Sequence, residues 1–206
     1  IEFGLFGRAD ACNILDKNLA NIVSSIGIDH LDWLPKDERT IERIIFEKTS
    51  SLLNSNIVIA KQSSNKITEC IKKIIQNNCA KKLFYNEDYS FSIMENGFFY
   101  YEDRFGGLKI PRPNINGEFQ LENISTAIAT LRILKNLDIK NTHIQKGVTK
   151  IYNIGRLEEL KSGKLKNLVK DNIFIVDGSH NQDGARVLNQ YLQGLRCNKH
   201  IIIGMM

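Results

Sequence analysis

An acid, an imidazole and an amide lie close together in the sequence "VDGSHNQDGA", which spans residues 176–185. They are Asp177, His180 and Asn181, and they follow the apolar run "NIFIV" and precede a stretch with helical periodicity. In open α/β sheets, ligands bind where strands end, because loop amides and helix N-termini converge there on anionic groups. The pattern therefore indicates a candidate ligand site at the end of a buried strand.

A second candidate site is the stretch "IEFGLFGRADACN", residues 1–13. Glu2 falls in an apolar run, where an ionised carboxylate costs several kcal/mol unless it is paired or coordinates a cation. The glycines of this stretch permit close approach of the backbone to a ligand, and we expect Arg8 and Asp10 to form a charged pair. From position alone, a metal-binding Glu2 and a solvated Glu2 at an open strand end both stay open.

A third candidate is "IGIDHLDWL", residues 26–34, where an apolar run again ends in polar side chains, among them Asp29 and His30. An isolated histidine beside an apolar run is more often structural than a ligand. Lys48 closes a predicted helix over 37–48, and a lysine there complements the helix dipole. Each of these signals, taken alone, is compatible with a purely structural role.

The elements that must position these residues follow from hydrophobic periodicity. Short apolar runs predict strands buried on both faces of a parallel sheet, and they cover residues 1–5, 20–28, 56–60, 172–177 and 200–204. Apolar residues at spacings of three and four predict helices over residues 37–48, 63–76, 121–137 and 183–195. Residues 82–110 alternate aromatic and polar side chains around "ENG" and "FGG", which predicts an antiparallel meander. The whole pattern predicts a doubly wound α/β protein with a domain boundary near residue 152.

Composition narrows the class of protein. The chain has 206 residues, 42% hydrophobic and 25% charged, which predicts a folded, soluble protein larger than one typical domain. Its four cysteines form no C-x-x-C pair or metal-spaced cluster, which predicts reduced thiols in the cytoplasm and no zinc site. No run is long enough to span a membrane, and a net charge of +5 without an arginine-rich patch indicates an ordinary basic surface. We therefore expect a monomer with neither nucleic acid nor membrane as a partner.

Considered together, the motifs indicate a known family, because they occur in its order. They read "EFGLFGRADACN", "IGIDH", "EKT", "GEFQLENISTAIATLRIL", "IGRLE" and "VDGSHNQDGA". In order and approximate spacing they resemble the Mur ligase superfamily, and within it most closely folylpolyglutamate synthase and its bifunctional dihydrofolate synthase form. The family's motifs look like E-V-G-x-G-G-R-x-D-A-T-N, I-G-x-D-H, E-K-A-G, Q-x-x-N-A, P-G-R and D-G-A-H-N. The similarity runs over essentially the whole chain.

The resemblance implies a catalytic Mg²⁺ near the second and third candidate sites. Glu2 and His30 match the positions that help to hold the metal ion. Lys48 matches a lysine that the family carbamylates, so that it becomes an acidic group near the metal. Such a modification makes physical sense, since Mg²⁺ prefers oxygen ligands and a bare ammonium group would repel it.

The resemblance also implies the residues that bind the substrates. Asn123 matches the amide that contacts adenine, while Arg156 and Asp177 match positions that hold ATP from a second domain. His180 is similar to a family histidine near the reacting carboxylate, with an orienting or acid–base role. Three residues match positions that touch the pterin-bearing substrate, namely Ala9, Asp10 and Ala11.

The implied fold is α/β, with residues 1–152 forming the later part of a Mur-ligase-like central ATPase domain. Residues 153–206 would begin a Rossmann-like glutamate-ligase domain. The implied reaction uses ATP to phosphorylate a substrate carboxylate, after which the α-amine of L-glutamate displaces phosphate. The product would be a folate with one more glutamate, or dihydrofolate made from dihydropteroate.

Some positions depart from the family pattern. Phe6 stands where the family usually has glycine, Cys12 where it has threonine, and "EKTSS" replaces "EKAGI". No G-x-x-x-x-G-K-[ST] phosphate loop occurs in the 206 residues, although the family carries one near its N-terminus. We therefore expect the sequence to be the middle of a longer ligase.

Two alternatives stay open from the sequence. One is an inactive, truncated remnant of the same enzyme, which at most binds a partner or a nucleotide weakly. The other is a peptidoglycan Mur ligase that acts on a UDP-linked substrate, although "GRADACN" and "DGSHN" resemble the folate branch better.

Overall fold

The computed structural model of the chain describes residues 1–134 and 136–204. Its strands are β1 (Ala20–Val23), β2 (Asn56–Ile59), β3 (Lys82–Phe84), β4 (Tyr89–Ile93), β5 (Phe98–Asp103), β6 (Gly106–Pro111), β7 (Glu158–Glu159) and β8 (Ile175–Val176). Its α-helices are α1 (Ile41–Thr49), α2 (Asn65–Ile74), α3 (Phe119–Ile133), α4 (Asn141–Val148), α5 (Lys164–Val169) and α6 (Gln182–Gly194). Single turns of 3-10 helix lie at 11–14, 31–33 and 36–38.

A parallel sheet in the order β1-β2-β3 forms the centre of the molecule. The side chains of β2 alternate between two hydrophobic clusters, because successive residues of a strand point to opposite faces. Ile57 and Ile59 pack with α1 and α2, whereas Val58 packs with α3 and the meander. All three are at most 1% exposed, and burial of such a side chain stabilises the fold by about 1.5–3 kcal/mol. The prediction of a strand buried on both faces at 56–60 is therefore confirmed.

The aromatic-rich stretch forms a second, antiparallel sheet in the order β4-β5-β6. Its first hairpin turns at Asn96 and Gly97, both of which have positive φ, as the predicted "ENG" turn requires. The predicted meander is confirmed from Tyr89 onwards. Residues 82–84 at its start instead form β3 of the parallel sheet.

Two predicted strands are wrong, those at the two ends of the sequence. Residues 1–5 form an irregular loop in which the Gly4 amide donates to the Asp10 carboxylate, rather than to a neighbouring strand. Residues 200–204 are not a strand either, and the side chains of Ile201, Ile202 and Ile203 are 60%, 96% and 74% exposed. An apolar run becomes a strand only beside a partner with free backbone groups, and the described residues provide none at either place.

The remaining predicted elements differ mainly in length. The strand predicted at 20–28 ends at Val23, and the one predicted at 172–177 is reduced to the two residues of β8, which pair with β7. The four predicted helices are found as α1, α2, α3 and α6. Lys135 in the predicted helix 121–137 lies outside the described residues, as do Met205 and Met206 of the predicted domain 153–206.

The α/β class with a parallel sheet and an antiparallel meander is confirmed. After α4 the chain runs irregularly from residue 149 to β7, and the domain boundary near residue 152 stays a prediction. None of the helices in the described ranges is long and apolar enough to cross a membrane.

Candidate functional site

Lys48 lies in the last turn of α1 and points its amine towards the N-terminal loop. The Nζ atom donates to the main-chain oxygen of Leu5 at 3.3 Å and lies 5.9 Å from the ring centroid of Phe6. Burial lowers the pKa of the Lys48 amine, an effect that the negative charge of Asp29 partly opposes. The side chain is thus a partly desolvated amine rather than the exposed dipole cap that its position in the helix suggests.

The three residues predicted to touch the pterin substrate lie on one loop, at the start of the 3-10 helix 11–14. Asp10 caps that helix, since its Oδ1 accepts from the Cys12 amide at 2.9 Å, and its Oδ2 accepts from the Gly4 amide at 2.9 Å. These bonds, the one from Cys12 foremost, lower the pKa of the Asp10 carboxyl. Ala9 and Ala11 are exposed on either side of it.

Arg8 pairs with Glu47, so the predicted pairing of Arg8 with Asp10 is wrong. The Arg8 Nε atom lies 2.8 Å from Glu47 Oε2, and its Nη2 lies 3.0 Å from Oε1. The Arg43 guanidinium reaches the same carboxylate at 2.6 Å from one turn earlier in α1. The hydrogen bond from Arg8, with the charges of both arginines, holds the pKa of Glu47 below its usual range. Asp10 is left free for its capping role.

The loops after β1 and β8 meet at Asp29. Its Oδ2 atom accepts from the Asn181 side-chain amide at 2.8 Å and lies 3.7 Å and 3.8 Å from the Nε2 atoms of His30 and His180. Burial raises the pKa of the Asp29 carboxyl, but the hydrogen bonds from Asn181 and from the His30 amide outweigh it, so the pKa is lowered. Residues more than 140 positions apart in the sequence therefore share one polar cluster.

Both histidines of this cluster are held by local structure. His30 adopts a left-handed conformation with φ of 56°, and its ring packs edge-on against Phe6 at 6.2 Å between centroids. The Nδ1 atom of His180 lies 2.9 Å from the main-chain oxygen of Gly178. Because a carbonyl oxygen only accepts, Nδ1 carries the hydrogen, and Nε2 faces Asp29.

A second contact between the same two loops lies at Gly27. A Cβ atom there would fall 1.7 Å from Oδ2 of Asp183, so a larger residue would require the Asp183 side chain, in the first turn of α6, to turn away. A cleft of about 430 Å³ opens beside the contact, with Ile26, Ile41 and Arg186 among its walls.

Asp177 holds the turn at residues 155–157 in place. Its Oδ2 accepts from the Leu157 amide at 2.8 Å, and its Oδ1 accepts from the Ser179 amide at 2.9 Å. The Gly178 amide donates to the oxygen of Gly155 at 2.8 Å, which ties the "IGRLE" turn to the loop after β8. Arg156 lies on that turn with an exposed side chain.

Glu2 and Asn123 lie outside the Asp29 cluster, and both are exposed. Across the ranges 1–134 and 136–204, no hydrogen bond or ion pair engages the Glu2 carboxylate, and no group of three or more acidic, histidine or cysteine side chains is arranged so that it could hold a metal ion. Asn123 lies on α3 beside Glu122, which pairs with Lys61 at 2.7 Å. The Glu2 carboxylate is an oxygen donor of the type that Mg²⁺ prefers, and no side chain in the described ranges occupies it.

The structure thus brings His30 and His180 to Asp29, whose charge also acts on the Lys48 amine, and Asp177 holds the adjoining turn that carries Arg156. The predicted roles of all these residues stay predictions. The sequence placed Asn181 in a candidate site without a specific role and did not single out Glu47, although each directly adjoins a predicted site residue. The available signal for Glu47 was Arg43 at four positions' distance in the predicted helix.

No family model matches the chain, but relatives and solved structures do. Along its entire length the chain is 27% identical to a dihydrofolate synthase/folylpolyglutamate synthase of Escherichia coli strain K12. Over 95% of its length it is 25% identical to a probable dihydrofolate synthetase of Schizosaccharomyces pombe. The chain spans about 45% of the length of either relative.

Solved structures show the same fold. E. coli FolC in complex with DHPP and ADP superposes with a TM-score of 0.78 at 25% identity, over 96% of this chain and 43% of that one. The apo form of L. casei FPGS gives a TM-score of 0.77 at 21% identity, over 96% of this chain and 47% of that one. These findings confirm the Mur-ligase-like fold and the resemblance to folylpolyglutamate and dihydrofolate synthases.

Proposed function

We propose that the protein is an ATP-dependent ligase that adds L-glutamate to folates, with dihydropteroate as a further acceptor that would yield dihydrofolate. The observation that carries the proposal is the meeting of the loops after β1 and β8 at Asp29, in a chain that resembles such ligases over its whole length. Two loops from distant parts of the sequence, each with a histidine, form the kind of junction that a reaction between several bound substrates needs.

In the proposed reaction, a carboxylate oxygen of the folate attacks the γ-phosphorus of ATP, which gives an acyl phosphate and ADP. The α-amine of glutamate then attacks the acyl carbon, the amide bond forms, and inorganic phosphate leaves. Arg156 is suited to the nucleotide phosphates because its guanidinium is exposed and permanently charged. His180 presents Nε2 at the junction, where it could orient the glutamate amine or take its proton.

Glu2 and His30 are the proposed ligands of Mg²⁺. The ion would neutralise charge on the transferring phosphoryl group. Lys48 is proposed to act as a carbamate, since its lowered pKa leaves more of the amine neutral, and only a neutral amine adds carbon dioxide. Addition of carbon dioxide to the neutral amine releases one proton and leaves an anionic carbamate next to the proposed metal site.

Asn123 is proposed to contact adenine, with Asp177 on the nucleotide side of the same site. Ala9, Asp10 and Ala11 are proposed to line the pterin end of the acceptor. A cytoplasmic location and a monomeric state complete the proposal, and the four cysteines, all of them free thiols, suit a reducing compartment.

The test is incorporation of tritiated glutamate by protein expressed from its complete reading frame, with tetrahydrofolate, dihydropteroate and a UDP-linked muramoyl peptide as separate acceptors. We expect incorporation that requires ATP and a pterin acceptor and that stops when EDTA removes the divalent cation. Incorporation into the muramoyl peptide alone, or none with either pterin acceptor, would overturn the proposal.

A further inference from the structure

We propose that Arg8 and Glu47 form a clamp that positions the 7–13 loop against the end of α1 and thereby sets the affinity for the pterin acceptor. The inference rests on the proposed function, because it takes residues 9–11 of that loop as the acceptor contact. Arg8 and Glu47 are positioning residues in this account and touch no substrate themselves.

The clamp is bidentate and partly buried. Two parallel hydrogen bonds of 2.8 Å and 3.0 Å join the Arg8 guanidinium to the Glu47 carboxylate, and the Arg8 amide also donates to the Glu47 main-chain oxygen at 2.8 Å. The Glu47 side chain is 5% exposed, whereas that of Arg8 is 49% exposed. Bidentate arginine–carboxylate pairs fix geometry as well as contributing energy, so this contact defines one position for the loop.

The loop itself is stiff, so a displacement at Arg8 would move the whole loop. The side-chain amide of Asn13 donates to the oxygens of Gly7 and Arg8 at 2.7 Å and 2.9 Å, which closes the loop on itself. Gly7 lies against the end of α1, where an added Cβ would come within 3.1 Å of the Lys48 oxygen. Gly7, just before the proposed acceptor contact, therefore lies directly against the last turn of α1.

Charge balance alone does not require Arg8. Glu47 already receives Arg43 from its own helix, at the i,i+4 spacing that stabilises helices. Arg8 adds a second cation from a segment 39 residues away, and about half of its side chain stays exposed, at 49%. Because Glu47 immediately precedes Lys48, the contact links the proposed acceptor loop to the proposed carbamate residue.

Arg43 supplies a matched control for the test. Arg8→Ala and Arg43→Ala each leave Glu47 with one arginine, but only the first releases the loop. We expect Arg8→Ala and Glu47→Gln to raise the apparent KM for the pterin acceptor by about tenfold, the scale for losing one charge-assisted pair, while the KM for ATP stays within about twofold. Arg43→Ala should leave both constants near those of the unsubstituted protein.

A second readout does not depend on activity. Hydrogen exchange at the amides of Arg8 and Cys12 should accelerate about tenfold in Arg8→Ala and not in Arg43→Ala, while exchange at Tyr101 in β5 reports that the fold is intact. If the unsubstituted protein ligates no glutamate, the proposed function fails, and hydrogen exchange at the loop amides is then the only test of the clamp.

Three results would overturn the clamp. The first is an equal rise in acceptor KM for Arg8→Ala and Arg43→Ala, which would mark a general effect of Glu47 pairing on stability. The second is a rise for Arg8→Ala with none for Glu47→Gln, which would mean that Arg8 contacts the acceptor itself. The third is loop-amide exchange that is the same in all variants.

Discussion

The amine of Lys48 occupies an environment that changes its chemistry. A lysine in the last turn of a helix ordinarily stays solvated and charged, where it complements the helix dipole. Here the side chain turns inward, with a backbone oxygen of Leu5 and the ring of Phe6 as its neighbours. Burial disfavours the ammonium form, and the negative Asp29 only partly offsets this. At a given pH, a lysine of this kind has a larger neutral fraction, the form that adds carbon dioxide, than a solvated lysine.

We expect a carbamate on Lys48 when the protein is supplied with ¹³C-labelled bicarbonate between about pH 7 and 8. The sign follows from the pKa, because lowering it increases the neutral, reactive fraction of the amine at a given pH. The measurement is the carbamate carbon resonance in a ¹³C NMR spectrum. Lys48→Arg should abolish the resonance, and Lys66→Arg should retain it, since pairing with Glu42 raises the pKa of Lys66. Persistence of the signal in Lys48→Arg would exclude this role.

At the scale of elements, strand ends and helix starts hold the polar cluster in place. Gln62, just after β2, ties the two parallel strand ends together. Its Oε1 accepts from the Ile26 amide at 2.9 Å, and its Nε2 donates to the oxygen of Ala60 at 2.9 Å. This side chain fixes the start of the loop that carries Asp29, in a place where the strand itself has already ended.

Asn181 performs two tasks at the start of α6. Its Oδ1 accepts from the Gly184 amide at 2.8 Å as the N-cap of the helix, while its Nδ2 donates to Asp29 at 2.8 Å. One side chain thus orients the helix and joins it to the loop after β1. A serine can replace the first function but cannot reach Asp29 as a second donor while it caps.

Substitutions at Asn181 should separate these two contributions. Asn181→Ser keeps the cap and loses the bond to Asp29, and we expect it to reduce the free energy of unfolding by about 1 kcal/mol. Asn181→Ala loses both, and we expect a reduction of about 2 kcal/mol. Urea unfolding curves measure the difference. Equal stabilities for Asn181→Ser and the unsubstituted protein would show that the contact with Asp29 contributes nothing.

At the scale of the whole molecule, the sequence was informative where burial on two faces leaves a continuous apolar run. The strand at 56–60 and the helices beside it were predicted for that reason. The run at 1–5 has a similar apolar composition, but no strand pairs with it. Hydrophobic periodicity reports the character of the side chains and does not show whether a neighbouring strand is present. Residues 20–28 show the same limit, since the apolar run outlasts the pairing, which ends at Val23.

The residues of the candidate site could be predicted from the sequence, but the contacts between them could not. The motifs pointed to His30, Lys48 and His180, which the fold gathers around Asp29. The partners of these residues are set by packing between distant segments, as the pairing of Arg8 with Glu47 illustrates, and no local spacing encodes it. Hydrogen-bond partners across the molecule follow from the tertiary fold, which the local sequence does not specify residue by residue.

The central claim is that the loops after β1 and β8 serve one reaction. The most direct measurement is the rate of ATP-dependent glutamate transfer to a pterin acceptor in His30→Ala, His180→Ala and the double variant. The account predicts that each single variant loses most of the rate and that the double variant loses little more, because residues acting as a unit are not additive. Rates close to that of the unsubstituted protein in both single variants would contradict it.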